Sequence, residues 1–192
     1  MCRHAIVTFL ESPESIKCVD WEFRALVELF HQIPFCASFG VSCAGHLNDD
    51  GETFWPMLSG QLNVIVLSTE PHIKEFLGLL EKVINNHAGA SLKKIKHVFG
   101  PPEKSRVEVW EIRISDNDCF GERREEFHLC GNIPKEGNAQ IFQDCQKRCT
   151  EIHLFWNALA ERVAIFCREH GFGTFDIDKR VEELCVPWKE DL

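Results

Sequence analysis

The feature that most constrains this chain is a single long helical pattern near its C-terminal end. From Ile141 to Phe166 the apolar positions fall at Ile141, Cys145, Cys149, Ile152, Trp156, Leu159, Val163 and Phe166, in steps of three and four, and Cys167 extends the stripe. That spacing predicts an amphipathic helix over residues 139–170, ended by Gly171. A helix of this length carrying one apolar stripe must lie against a broad surface, so the rest of the chain has to provide one.

The remaining segments predict that surface. Residues 20–33 repeat at a helical period, with Phe23, Leu26, Val27, Phe30 and Ile33 on one stripe, Asp20 as N-cap and Pro34 as terminator. Residues 35–44 read as a strand stopped by Gly45, and residues 48–51, NDDG, read as a turn. Residues 61–68 read as a buried strand. A helix capped by Thr69 follows, with the stripe Ile73, Phe76, Leu77, Leu80, Val83 and Ile84. SLKKIKHVFG and SRVEVWEIRIS flank PPEK as a hairpin, with Trp110, Ile112 and Ile114 facing inward. Residues 5–10 are a short apolar run, 116–138 an irregular connection, and 176–192 a short helix stopped by Pro187. This order predicts one α+β domain: an antiparallel-rich sheet with helices packed on one face.

Composition narrows the function classes. The 192 residues are 44% apolar and 27% charged, enough chain and enough apolar side chain for a real core. A net charge of −9 argues against nucleic-acid binding by bulk attraction, although the stretch from Gly89 to Arg113 is locally basic. No apolar run is long enough to cross a membrane. Ten cysteines occur without a C-x-x-C pair, and residues 1–10 lack the apolar core of a secretory leader. The expectation is a cytoplasmic protein with reduced, mostly buried thiols. No P-loop, G-x-G-x-x-G, H-E-x-x-H or G-x-S-x-G pattern is present.

One stretch nominates chemistry: Ser42-Cys43-Ala44-Gly45-His46. A thiol and an imidazole across a glycine turn fit three uses. His46 stabilising a Cys43 thiolate makes a catalytic dyad. Both fit a metal, zinc being the natural ion, with Cys130 as a further ligand. Ser42, Gly45 and His128 fit the rim of a small-ligand pocket. A buried small cysteine beside a surface turn histidine fits the same residues without any chemistry. Cys145, Cys149 and His153 form a second candidate ridge on the long helix, where core packing accounts for the cysteines.

The SCAGH stretch, preceded by a helix and followed by a strand and helix, resembles the tRNA wybutosine-synthesis methyltransferase-type proteins. It is also similar to small bacterial proteins carrying Ser-Cys-x-Gly-His. The resemblance covers about residues 20–85. His46 stands where the methyltransferase-type pattern has an arginine. It implies an α+β fold and, as one alternative, an RNA-modifying enzyme whose basic stretch 93–106 borders the cleft. Another alternative is a non-catalytic interaction module using the long helix or one of Trp21, Trp55, Trp110, Trp156 and Trp188 as anchor.

Overall fold

The computed structural model describes residues 21–38, 43–95, 107–115 and 132–173. Along the chain these form α1 (Trp21–Gln32), β1 (Cys36–Ser38), β2 (His46–Asp49), β3 (Thr53–Met57), β4 (Ser59–Leu67), α2 (Ile73–Ile84), β5 (Ala90–Ile95), β6 (Val107–Ser115), β7 (Ile133–Pro134) and α3 (Ala139–Glu169). The fold is α+β. A four-stranded antiparallel sheet runs β1-β4-β6-β5, and a smaller antiparallel sheet runs β2-β3-β7.

The larger sheet sorts its faces by strand alternation. Leu62 pairs with Ile112 and Val64 with Trp110, and these side chains join the main core with all three helices. Ala37, Ile65 and Val109 form a small cluster on the opposite face. The hairpin register sets Lys94 opposite Trp110 and Leu92 opposite Ile112, so the predicted inward face of β6 is the core face.

Helix α3 is the spine of that core. Cys145, Cys149, Ile152, Trp156, Leu159, Val163, Phe166 and Cys167 are buried as the stripe predicts, and Phe155 adds a position that the stripe did not include. Its end is a Schellman motif. Gly171, at φ +68°, lets the Phe172 N–H reach the Cys167 carbonyl at 2.8 Å and the Gly171 N–H reach Arg168 at 3.3 Å. His170 is therefore held at the C-cap, and Phe172 folds back to stack on its ring.

Several boundaries differ from the sequence expectation: Asn48 and Asp49, read as part of a turn, end β2, and Thr53–Met57 forms β3, which the sequence pattern did not indicate. Helix α2 does not begin at Thr69: the chain turns first, with Glu70 N–H bonded to Leu67 O at 3.2 Å, and the N-cap is His72. The connection over 116–138 is not irregular throughout, because Ile133 pairs with Phe54 to make β7. The stretches 5–10 and 176–192, and the side chain of Phe23, lie outside the described residues.

Candidate functional site

The glycine turn sits directly under α3. Pairing with β4 resumes at Cys43, whose N–H and C=O both bond Gln61, at 3.0 and 2.8 Å. Gly45 then turns the chain at φ +81°. Two α3 side chains one turn apart read the carbonyls that this exposes. The Trp156 indole N–H donates to Ala44 O at 2.8 Å, and His153 Nε2 donates to Gly45 O at 2.7 Å. A carbonyl only accepts, so the proton on His153 is on Nε2. Cys149 Sγ lies 3.6 Å from that same nitrogen. The contact uses the nitrogen that a Cys149–His153 metal chelate would need, and it leaves Cys149 as the core residue the stripe predicts. The approach is close. A Cβ on Gly60 would lie 2.8 Å from both Ala44 O and the Trp156 ring.

Cys43 is buried and its thiol donates to Met57 Sδ at 3.3 Å. His46 heads β2 and is half-buried. It pairs across the ladder with that same Met57, which places the two side chains on one face of the small sheet. Met57 thus neighbours both predicted residues. Ser42, His128 and Cys130 lie outside the described residues, as does the stretch 96–106. Of the basic residues still described on β5, Lys94 is paired with Glu108 at 2.6 Å and Lys93 faces Glu111 across the ladder. Trp156 is buried, so it is not an exposed anchor.

Among the described residues, one group of three metal-ligating side chains converges, away from the turn. His72, Glu75 and His170 bring one ligand atom each to within 4.8 Å of one another. The fold places all three. His72 is the N-cap of α2, Glu75 lies in its first turn, and the Schellman motif fixes His170 at the end of α3. Glu75 Oε2 is 3.8 Å from His72 Nδ1 and 3.2 Å from His170 Nε2. The two imidazoles meet edge to face, with centroids 4.6 Å apart.

The hydrogen bonding of His170 defines what its other nitrogen offers. Nδ1 lies 3.0 Å from the Phe166 carbonyl, which only accepts, so Nδ1 carries a proton. In the neutral ring Nε2 then presents a lone pair to a carboxylate oxygen at 3.2 Å. Two acceptors at that separation need a proton or a metal ion between them. Sequence reasoning passed over these residues because they lie 95 positions apart across the Glu75–His170 contact. The local signal was His72-x-x-Glu75 at a helix start, a spacing that puts both side chains on one face.

Two electrostatic features lie outside this cluster. Asp50 accepts from the Thr53 N–H and hydroxyl and the Glu52 N–H, and these bonds hold its carboxyl below the usual aspartate value. Burial pushes the Cys167 thiol up to about 11, so it is protonated and unreactive at neutral pH.

Compared with protein-family models, curated proteins and solved structures, the chain matches none.

Proposed function

We propose that this protein binds a divalent transition-metal ion between the start of α2 and the end of α3, with His72, Glu75 and His170 as ligands. The observation that carries this is the facing pair of acceptors, His170 Nε2 and Glu75 Oε2 at 3.2 Å, with His170 Nδ1 already committed to a backbone carbonyl. A proton satisfies two acceptors. His72 brings a third ligand atom to within 4.8 Å of both, which a shared proton does not use and a metal does. The Phe166 carbonyl acts as the outer partner that orients a metal-bound imidazole. The carbonyl end of α3 favours a cation, and the Glu75 carboxylate in the first turn of α2 offsets the positive end of that helix beside the ion.

Two nitrogens and one carboxylate oxygen suit zinc, and three protein ligands leave a coordination position for water or a small ligand. His72 and Glu75 are solvent-accessible, which leaves that position reachable. Calorimetric titration with zinc tests the site. Tight binding that falls more than about 100-fold in His170→Ala and in Glu75→Gln supports it, since even outer partners of metal ligands are worth 10–100-fold. Absence of binding would mean that the His170–Glu75 contact is a hydrogen bond and nothing more.

A second reading rests on the turn. The sulfur–sulfur contact of Cys43 and Met57, with His46 on the same face, gathers soft donors that suit zinc or monovalent copper. Cobalt substitution separates the two sites. A thiolate charge-transfer band lost in Cys43→Ser places the ion at the turn, whereas a spectrum without that band, altered by His170→Ala, places it between the helices.

A further inference from the structure

We infer that the groove between α2 and α3 binds a linear organic dianion, one acid group completing the coordination of the metal and the other meeting Lys82 and Arg162. This inference rests on the metal reading above. The groove has a volume of about 790 Å³, inside the size range of small-molecule sites. Glu75 belongs both to its wall and to the metal cluster, so a ligand in the open coordination position extends into it.

The two helices run antiparallel. Glu75 meets His170, Phe76 meets Phe166, and His87 beyond α2 meets Phe155. Lys82 lies seven residues past Glu75, and Arg162 eight before His170, so both cations fall at the far end, about 10–12 Å from the metal at 1.5 Å per residue. Both line the groove, and neither is engaged in an ion pair with a described residue. Leu79 and Ile165 supply apolar wall between the two ends. Glu169 stands at the metal end, yet with a divalent ion in place the groove is net positive on a chain of charge −9.

Gly78 is the independent mark of a ligand. It lies in the interior of α2, where glycine costs about 1 kcal/mol against alanine. Among the described residues nothing requires it, because a Cβ there would meet none of their atoms within 4 Å outside its own stretch of helix. It lines the groove, where the missing side chain keeps the floor clear.

The test uses zinc-loaded protein and straight-chain α,ω-dicarboxylates of increasing length, read by calorimetry and, in the cobalt form, by the shift of the visible spectrum. Affinity is expected to rise with length until the acid groups span the two ends. Lys82→Gln/Arg162→Gln is expected to lose about tenfold for the long dicarboxylates and little for acetate, as removal of charge-assisted contacts predicts. Gly78→Ala should keep the fold and the zinc affinity while weakening the long dicarboxylates, and Gly78→Leu should abolish their binding. Zinc-loaded protein that binds no dicarboxylate, or binds all lengths alike and ignores these substitutions, overturns the groove proposal and leaves the metal site standing. Protein that takes up no zinc overturns both.

Discussion

His170 Nε2 and Glu75 Oε2 face each other at 3.2 Å although they lie 95 residues apart. Each comes from a helix end whose geometry is set locally. The Schellman turn at Gly171 orients His170, and the turn before Ile73 delivers Glu75. Packing of α2 against α3 then joins them.

A bound ion should therefore stabilise the folded chain by linking two helix ends. Zinc at about 100 times its dissociation constant is expected to add about 2.7 kcal/mol, provided it does not bind the unfolded chain. For a chain of this size that raises the melting temperature by roughly 5–10 °C. Thermal unfolding with and without zinc checks this, and His170→Ala should remove the increment.

The carbonyl contacts of the glycine turn predict a stability effect with no metal involved. Trp156→Phe keeps most of the ring in the core but removes the indole donor from Ala44 O. Loss of a buried hydrogen bond of this kind costs about 1–3 kcal/mol. Urea unfolding should show that loss, and a wild-type midpoint would show that the contact contributes nothing.

Gly60 is needed for the same close approach. A Cβ at 2.8 Å from both Ala44 O and the Trp156 ring forces the turn and the helix apart. Gly60→Ala is expected to destabilise by about 1–3 kcal/mol, as overpacking does. Alanine at Gly78, where a Cβ would meet no described residue within 4 Å outside its own stretch of helix, should not destabilise. Denaturation of the two variants side by side gives the comparison.

Asp50 predicts a pH dependence. Its carboxyl titrates below the usual aspartate value in the fold, so its contribution is present above about pH 4 and is lost as pH falls through the folded value. Asp50→Ala should be less stable than wild type at pH 7, and the gap should close toward pH 2. A gap that stays constant across that range would show that the charge is not what stabilises the turn.

Cys167 should resist alkylation in the native protein. Its thiol titrates near 11 because it is buried, so thiolate is scarce at neutral pH. Mass spectrometry after a short iodoacetamide pulse should find it unmodified in buffer and modified in denaturant. In alkali the sign is the opposite of that for Asp50. The thiol favours the folded state below about pH 9, and that contribution is lost as pH climbs through the folded value.

Much of the fold was written in local periodicity. Steps of three and four between Ile141 and Phe166 specified α3, and the alternation around Trp110, Ile112 and Ile114 specified the core face of β6. Gly171 and Gly45 marked the helix stop and the turn because both require positive φ, which glycine adopts without steric cost. These are short-range facts, decided by a residue and its neighbours within a turn or a strand. What only the tertiary structure decided is which separate pieces meet. No local pattern states that Trp156 and His153 bond the carbonyls of a turn more than 100 residues earlier, or that His72 and Glu75 meet His170. Those contacts follow from the antiparallel packing of α2 on α3 and from the seating of α3 under the sheet. That packing buries apolar stripes without regard to the polar residues at their ends, so the polar pairings appear only once the helices are in place.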